Sequence, residues 1–173
     1  DDGIPKDVIT AIRWLTAAAK QENGYAEYAL ALVYLTGEDA PKDSVKALSL
    51  LKRSAGRGNQ FAQYRLGKLL LQGEDAPKDV KAAIRWLTAA AEQGNQYAQY
   101  ALGKLYLLGK EVPKDRSSAI KWFQLAADQG NEYAQYFLKH MDDRLGQPPV
   151  AAVISLFHHL ANIFQEQNQP PPS

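Results

Sequence analysis

The chain has 173 residues, 46% of them apolar, with 20 basic against 19 acidic side chains; it can bury a sizeable core, but it has almost no long-range field to draw polyanions. It contains no cysteine, which excludes disulfides, thiolate nucleophiles and cysteine-ligated metals while leaving the redox compartment open. No apolar run approaches the roughly 20 residues that a bilayer span requires.

The chain starts at Asp1, with neither an initiator methionine nor a charged-then-apolar leader, and reads as an excised piece of a longer chain. From Pro5 onward it is built on a repeat. The triplet Pro-Lys-Asp recurs with its proline at Pro5, Pro41, Pro77 and Pro113, 36 residues apart. Three other sets keep the same step: Ala11, Ala47, Ala83 and Ala119; Asn23, Asn59, Asn95 and Asn131; Tyr28, Tyr64, Tyr100 and Tyr136. Trp14, Leu50, Trp86 and Trp122 share a further phase. Agreement in this many phases divides the chain into units at 5–40, 41–76, 77–112 and 113–148.

The first unit opens inside a connection, because residue 1 falls at the phase of Gly37. Its apolar end, with Ile9, Ile12 and Ala17, needs a preceding unit or domain to cover it. The pattern within a unit is clearest in the third. There Ala83, Ile84, Trp86, Leu87, Ala90 and Ala91 form an apolar helical stripe that starts after an N-cap at Asp79 and ends at Gly94. Asn95 caps a second helix, which stops at Gly109. About two residues join the pair, which requires an antiparallel hairpin. Ala62, Gly67, Ala98 and Gly103 let the helices of a hairpin approach closely, while Trp86, Tyr97 and Leu102 fill the remaining space.

In the fourth unit Lys139 stands at the phase of Gly103 and Asp142 at that of Tyr106, so the surface turns polar and closes the array. Residues 149–167 provide one more amphipathic helix, with Val150, Val153, Ile154, Phe157, Leu160, Ala161 and Phe164 on one stripe, to cover the last hairpin. Residues 168–173, rich in proline, read as a disordered tail.

The unit over 79–115, with its paired helices and two glycine positions, resembles the Sel-one-like repeats, relatives of the tetratricopeptide repeats. The resemblance covers residues 3 to about 140. It implies an all-α fold, a right-handed α-α superhelix of four helix-turn-helix repeats plus the C-terminal capping helix. It also implies an adaptor whose groove holds a protein or peptide. Some disulfide-rich secreted members are linked to cell-wall chemistry, and a cysteine-free chain departs from them. The ending "LFHHLANIFQEQ" is similar to the C-termini of mobilisation relaxases, which raises a second reading: an accessory region of a DNA-processing enzyme whose nuclease lies upstream.

The residues offer no catalytic constellation, so the chain reads as a binding module without cofactor or metal. Adjacent His158 and His159 point about 100° apart on a helix and cannot share an ion in ordinary geometry; His140 is solitary. Glu38, Asp39, Glu74 and Asp75 fall in connections and read as turn chemistry. A cell-wall hydrolase would need an activated serine or paired carboxylates, which the sequence does not present. The tryptophans read as core residues on the buried stripe. Recognition is therefore assigned to the polar positions of each unit's first helix: Lys81, Arg85, Thr88 and Glu92 in the third unit, with Arg13, Ser49 and Lys121 in phase with Arg85. Arg13, Arg85 and Lys121 are expected to hold acidic or carbonyl groups of a bound segment, with Lys52 and Lys104 nearby and Tyr100 presenting its hydroxyl at a groove edge. A monomer in the cytoplasm, with no direct contact to nucleic acid or membrane, completes the expectation.

Overall fold

A computed structural model describes residues 6–140. Within them the chain forms helices α1 (Lys6–Lys20), α2 (Gly24–Thr36), α3 (Ser44–Gly56), α4 (Gln60–Gln72), α5 (Val80–Glu92), α6 (Gln96–Leu108), α7 (Arg116–Asp128) and α8 (Glu132–His140), and no strand among the described residues. The predicted capping helix at 149–167 and the tail lie outside the described residues.

Side-chain caps set the helix boundaries. Asn23, Asn59, Asn95 and Asn131 each accept the amide three residues on at 3.0 Å, satisfying a donor that the first turn leaves free. Asp43, Asp79 and Asp115 do the same for α3, α5 and α7 at 2.9–3.0 Å. Gly109 ends α6 in the left-handed conformation, with φ at +65° and its amide bonded to the carbonyl of Leu105. A backbone bond from Asp79 N–H to the Leu70 carbonyl, repeated from Asp115 to Tyr106, then ties each odd-numbered helix to the end of the helix before it.

Packing runs along the array. Helices α2, α4 and α6 each pack more extensively on the helix that comes after them than on the one before. The glycines expected inside the hairpins lie at this junction between repeats instead. A Cβ on Gly67 would stand 2.7 Å from Leu87 Cγ, and one on Gly103 would stand 2.7 Å from the Phe123 ring. The side chains received there, Leu87 and Phe123, are fully buried, as are Ala83 and Ala119 beside them.

Leu51, Leu87 and Phe123, each one residue after the tryptophan phase, are therefore the deepest core positions of α3, α5 and α7. The tryptophans are not core residues. Trp86 and Trp122 are half-buried against the preceding repeats, and Trp14, with no repeat before it among the described residues, is 73% exposed. Ile9 and Ala17 are likewise exposed, whereas Ile12 packs on the core. Tyr97 does not fill the hairpin either; its ring is 46% exposed.

An amide ladder, buried at Gln63 and Gln99, links the repeats. Gln63, Gln99 and Gln135 donate to the carbonyls of Ala55, Ala91 and Ala127 at 3.0–3.2 Å. Gln63 and Gln99 accept from Gln93 and Gln129 of the next repeat at 2.7 and 2.8 Å. The first junction is built differently: Glu27 takes the Gln63 phase and Arg57 the Gln93 phase. The Arg57 Nε–H donates to Glu27 Oε2 at 3.2 Å, and Arg53 Nη2 lies 2.7 Å from Oε1 without hydrogen-bond alignment. A carboxylate cannot donate to the Ala19 carbonyl, and Arg53 does so at 3.2 Å in its place.

The acidic connection residues serve more than turns. Asp75 pairs with Lys42 at 2.9 Å and accepts from Ser44 at 2.7 Å, and Glu111 pairs with Lys78 at 2.8 Å, so consecutive connections are clipped together.

In urea unfolding, two glycines are expected to respond in opposite directions. Gly67→Ala lowers stability, because overpacking costs about 1–3 kcal/mol against a helix-propensity gain of about 1 kcal/mol. Gly56→Ala, where nothing stands within 4 Å of the added carbon, raises it by about 0.5–1 kcal/mol. At the first junction, Glu27→Gln alone lowers stability by about 1–2 kcal/mol, since it strips a buried charge from its partners. Adding Arg57→Gln recovers stability by recreating the amide pair of the later junctions, which a double-mutant cycle reads as favourable coupling.

Candidate functional site

The even-numbered helices bury one face and leave the opposite one half-open. On α4 the buried side carries Ala62, Leu66, Gly67 and Leu70, while Phe61, Tyr64, Arg65 and Lys68 recur at helical spacing on the other. Because the repeats stack in register, the open faces join into one strip. Its rungs are ring contacts between successive even helices: Tyr28 with Phe61 at 6.2 Å between centroids, Tyr64 with Tyr97 at 6.0 Å and Tyr100 with Tyr133 at 5.9 Å. Inter-ring separations of this order are favourable and hold the rings before anything binds. Phe61 and Tyr97 remain 43% and 46% exposed.

Three cations stand among these rings. The Lys68 ammonium lies 5.9 Å from the centre of the Tyr64 ring. Burial lowers its pKa first, and the neighbouring Arg65 charge lowers it further. Lys104, one repeat on, is lowered by burial and then by Lys68 and Lys110. Partial loss of water and crowding by like charge both disfavour an ammonium, and an incoming anion would offset the crowding. Arg65 has a buried Nε–H with no hydrogen-bond partner among the described residues. Asp75 feels the Arg65 charge, but its carboxylate is already engaged by Ser44 and Lys42.

The residues chosen from sequence are divided between two surfaces. Arg13, Lys52, Lys81, Arg85 and Lys121 are all exposed on odd-numbered helices and form no ion pair or side-chain hydrogen bond among the described residues. Lys121 rests its ammonium 5.9 Å from the Trp122 ring. Tyr100 belongs to the even-helix strip, where burial raises its phenol pKa and Phe123, Tyr133 and Phe137 surround its ring. Sequence reasoning missed Arg65 and Lys68 and assigned Lys104 only a supporting place. The signal that finds the two lysines is an aromatic residue recurring one repeat on and about one turn back, with a lysine four residues after Tyr64 and after Tyr100; Arg65 carries no such signal.

Among the described residues no group of three or more His, Asp or Glu side chains is arranged to hold a metal, and no helix is long and apolar enough to cross a membrane. The C-terminal stretch similar to mobilisation relaxases lies outside the described residues.

Comparison with known proteins places this geometry. The family model described as the Sel1 repeat matches residues 1–23, 24–59, 60–95 and 96–131. Its full units begin at the even-numbered helices, so its origin is shifted within the same period. A protective antigen of uropathogenic Escherichia coli strains, displaying an SLR fold, is similar at 37% identity and a TM-score of 0.74. The match covers 82% of this chain and 30% of the antigen, so the chain spans under a third of that protein's length. A Sel1 repeat protein from Oxalobacter formigenes is similar at 34% identity and a TM-score of 0.67, over 72% of this chain and 94% of that one. Helicobacter pylori cysteine-rich protein B shares the fold at 23% identity and a TM-score of 0.61, over 77% of this chain and 96% of its own. No curated protein matches by sequence. With most of its length matched by repeats of one kind, in a stack of helical hairpins, the chain belongs to the Sel1 repeat family.

Proposed function

We propose that this chain is a scaffold that holds a segment of another protein along the open face of α2, α4, α6 and α8. Sel1-repeat arrays serve as protein-interaction scaffolds, and a stack of hairpins offers an extended surface rather than an enclosed reaction chamber. One observation carries the choice of face: aromatic rings recur in every repeat there, positioned by contact with one another and still partly open. Rings fixed in advance supply large contact area at small cost in side-chain entropy, which is why aromatic residues anchor protein interfaces.

A second surface competes for the role. Arg13, Arg85 and Lys121 are in phase on the odd-numbered helices and exposed, so they would steer an acidic partner while anchoring it weakly. The reading remains that of a binding module, not an enzyme, and a monomer requiring no cofactor.

Affinity capture from the native lysate, with retained proteins identified, tests both surfaces. Proteins held by the wild-type chain are lost with Phe61→Ser/Tyr97→Ser and kept with Arg13→Glu/Arg85→Glu/Lys121→Glu. The opposite pattern moves the site to the odd-numbered helices, and retention of nothing by the folded chain argues against a scaffold.

A further inference from the structure

We infer that the strip on the even-numbered helices takes an acidic protein segment in extended form, its carboxylates seated on Arg65, Lys68 and Lys104 and its apolar side chains between the aromatic rungs. This rests on the scaffold reading above and specifies its partner.

The three cations occupy neighbouring repeats on one face, at α4 and α6. Arg65 keeps a buried guanidinium N–H unpaired among the described residues, and Lys68 makes no ion pair there. Elsewhere basic side chains near an acid use it: Lys42 with Asp75, Lys78 with Glu111, Arg53 and Arg57 with Glu27. The strip differs in concentrating positive charge beside rings that partly exclude water. Holding such cations together is unfavourable in the free protein, and a carboxylate entering from a partner offsets that cost while pairing with the guanidinium in planar geometry.

The neighbouring rings define the rest of the ligand. Tyr97 packs beside the Tyr64 ring that carries the Lys68 ammonium, and Phe61 stands one turn before Tyr64 on α4, so an apolar or aromatic side chain beside the carboxylate finds a surface already formed. Rows of rings and cations also suit single-stranded nucleic acid. Here, however, the chain's net charge of +1 gives no field to gather a polyphosphate. A protein segment with a few carboxylates matches a few cations better.

The test uses the full chain. A library of random dodecapeptides is selected on it, and the enriched sequences are synthesised alongside versions with every Asp and Glu changed to Asn and Gln. Enriched peptides are expected to pair carboxylates with an apolar or aromatic residue. Amidation should weaken them at least about ten-fold, as loss of a charged hydrogen bond does. Arg65→Gln, Lys68→Gln and Lys104→Gln should each weaken binding by about the same factor, with circular dichroism confirming folded variants, while Arg13→Gln/Arg85→Gln/Lys121→Gln binds as wild type. Wild-type affinity should also fall as sodium chloride rises, a readout independent of any substitution. Enrichment of neutral peptides that depend on Phe61 and Tyr97 would overturn the acidic assignment and leave the scaffold standing. Failure to enrich any peptide, or binding of a twenty-residue thymidine oligonucleotide through the same cations, would overturn the inference as well.

Discussion

The structure depends on the close approach of each even-numbered helix to the odd-numbered helix of the next repeat. At α4–α5 and α6–α7 the approach is tight enough that a glycine faces a fully buried Leu87 or Phe123, leaving no room for a Cβ. At α2–α3 the matching position is Ala31, also fully buried. Because the deepest packing lies between repeats, no hairpin contains a complete core. Stability is then a property of neighbouring pairs, as in quasi-one-dimensional proteins. The same contact holds the even-numbered helices in register, and that register makes a row of rings continuous.

Around this constant geometry the polar chemistry changes from junction to junction. The later junctions use neutral glutamine pairs, whereas the first uses Glu27 with Arg53 and Arg57. Glu22, which also accepts from Arg57 at 3.2 Å, holds a left-handed φ of +65° at the phase where Gly58, Gly94 and Gly130 sit. The first repeat therefore meets the second through charge, carries its strain in its own turn between α1 and α2, and leaves Trp14 open on its outer side. The shared backbone plan thus supports chemically different junctions without altering the stack.

The fold was legible because its signals are local and repeated. Asp79, Asn95 and Gly109 act as the caps and stops that their residue types predict, and the period is set by the prolines. What escaped depends on contacts between repeats. A size-based reading of the stripe favours Trp86, but Leu87, about 100° further round the helix, points into the glycine of the preceding repeat; only knowledge of that neighbour separates them. Likewise Tyr64 is a lone half-buried tyrosine until Tyr97 is placed beside it. The candidate site was assigned to odd-numbered helices because their exposed cations stand out in sequence. Arg65 looks equally ordinary there, and only its burial sets it apart. Glu27 looks like one more surface carboxylate until its two arginines arrive from the next repeat.

Native-state hydrogen exchange, resolved by helix, tests most directly whether stability resides between repeats. Amides of α4 and α5, packed on both sides, should exchange slowest, and those of α1, which lacks a preceding repeat among the described residues, should exchange substantially faster. Equal protection of α1 and α5, at a level below that of global unfolding, would contradict the account, because the end and the middle of the stack would then open alike.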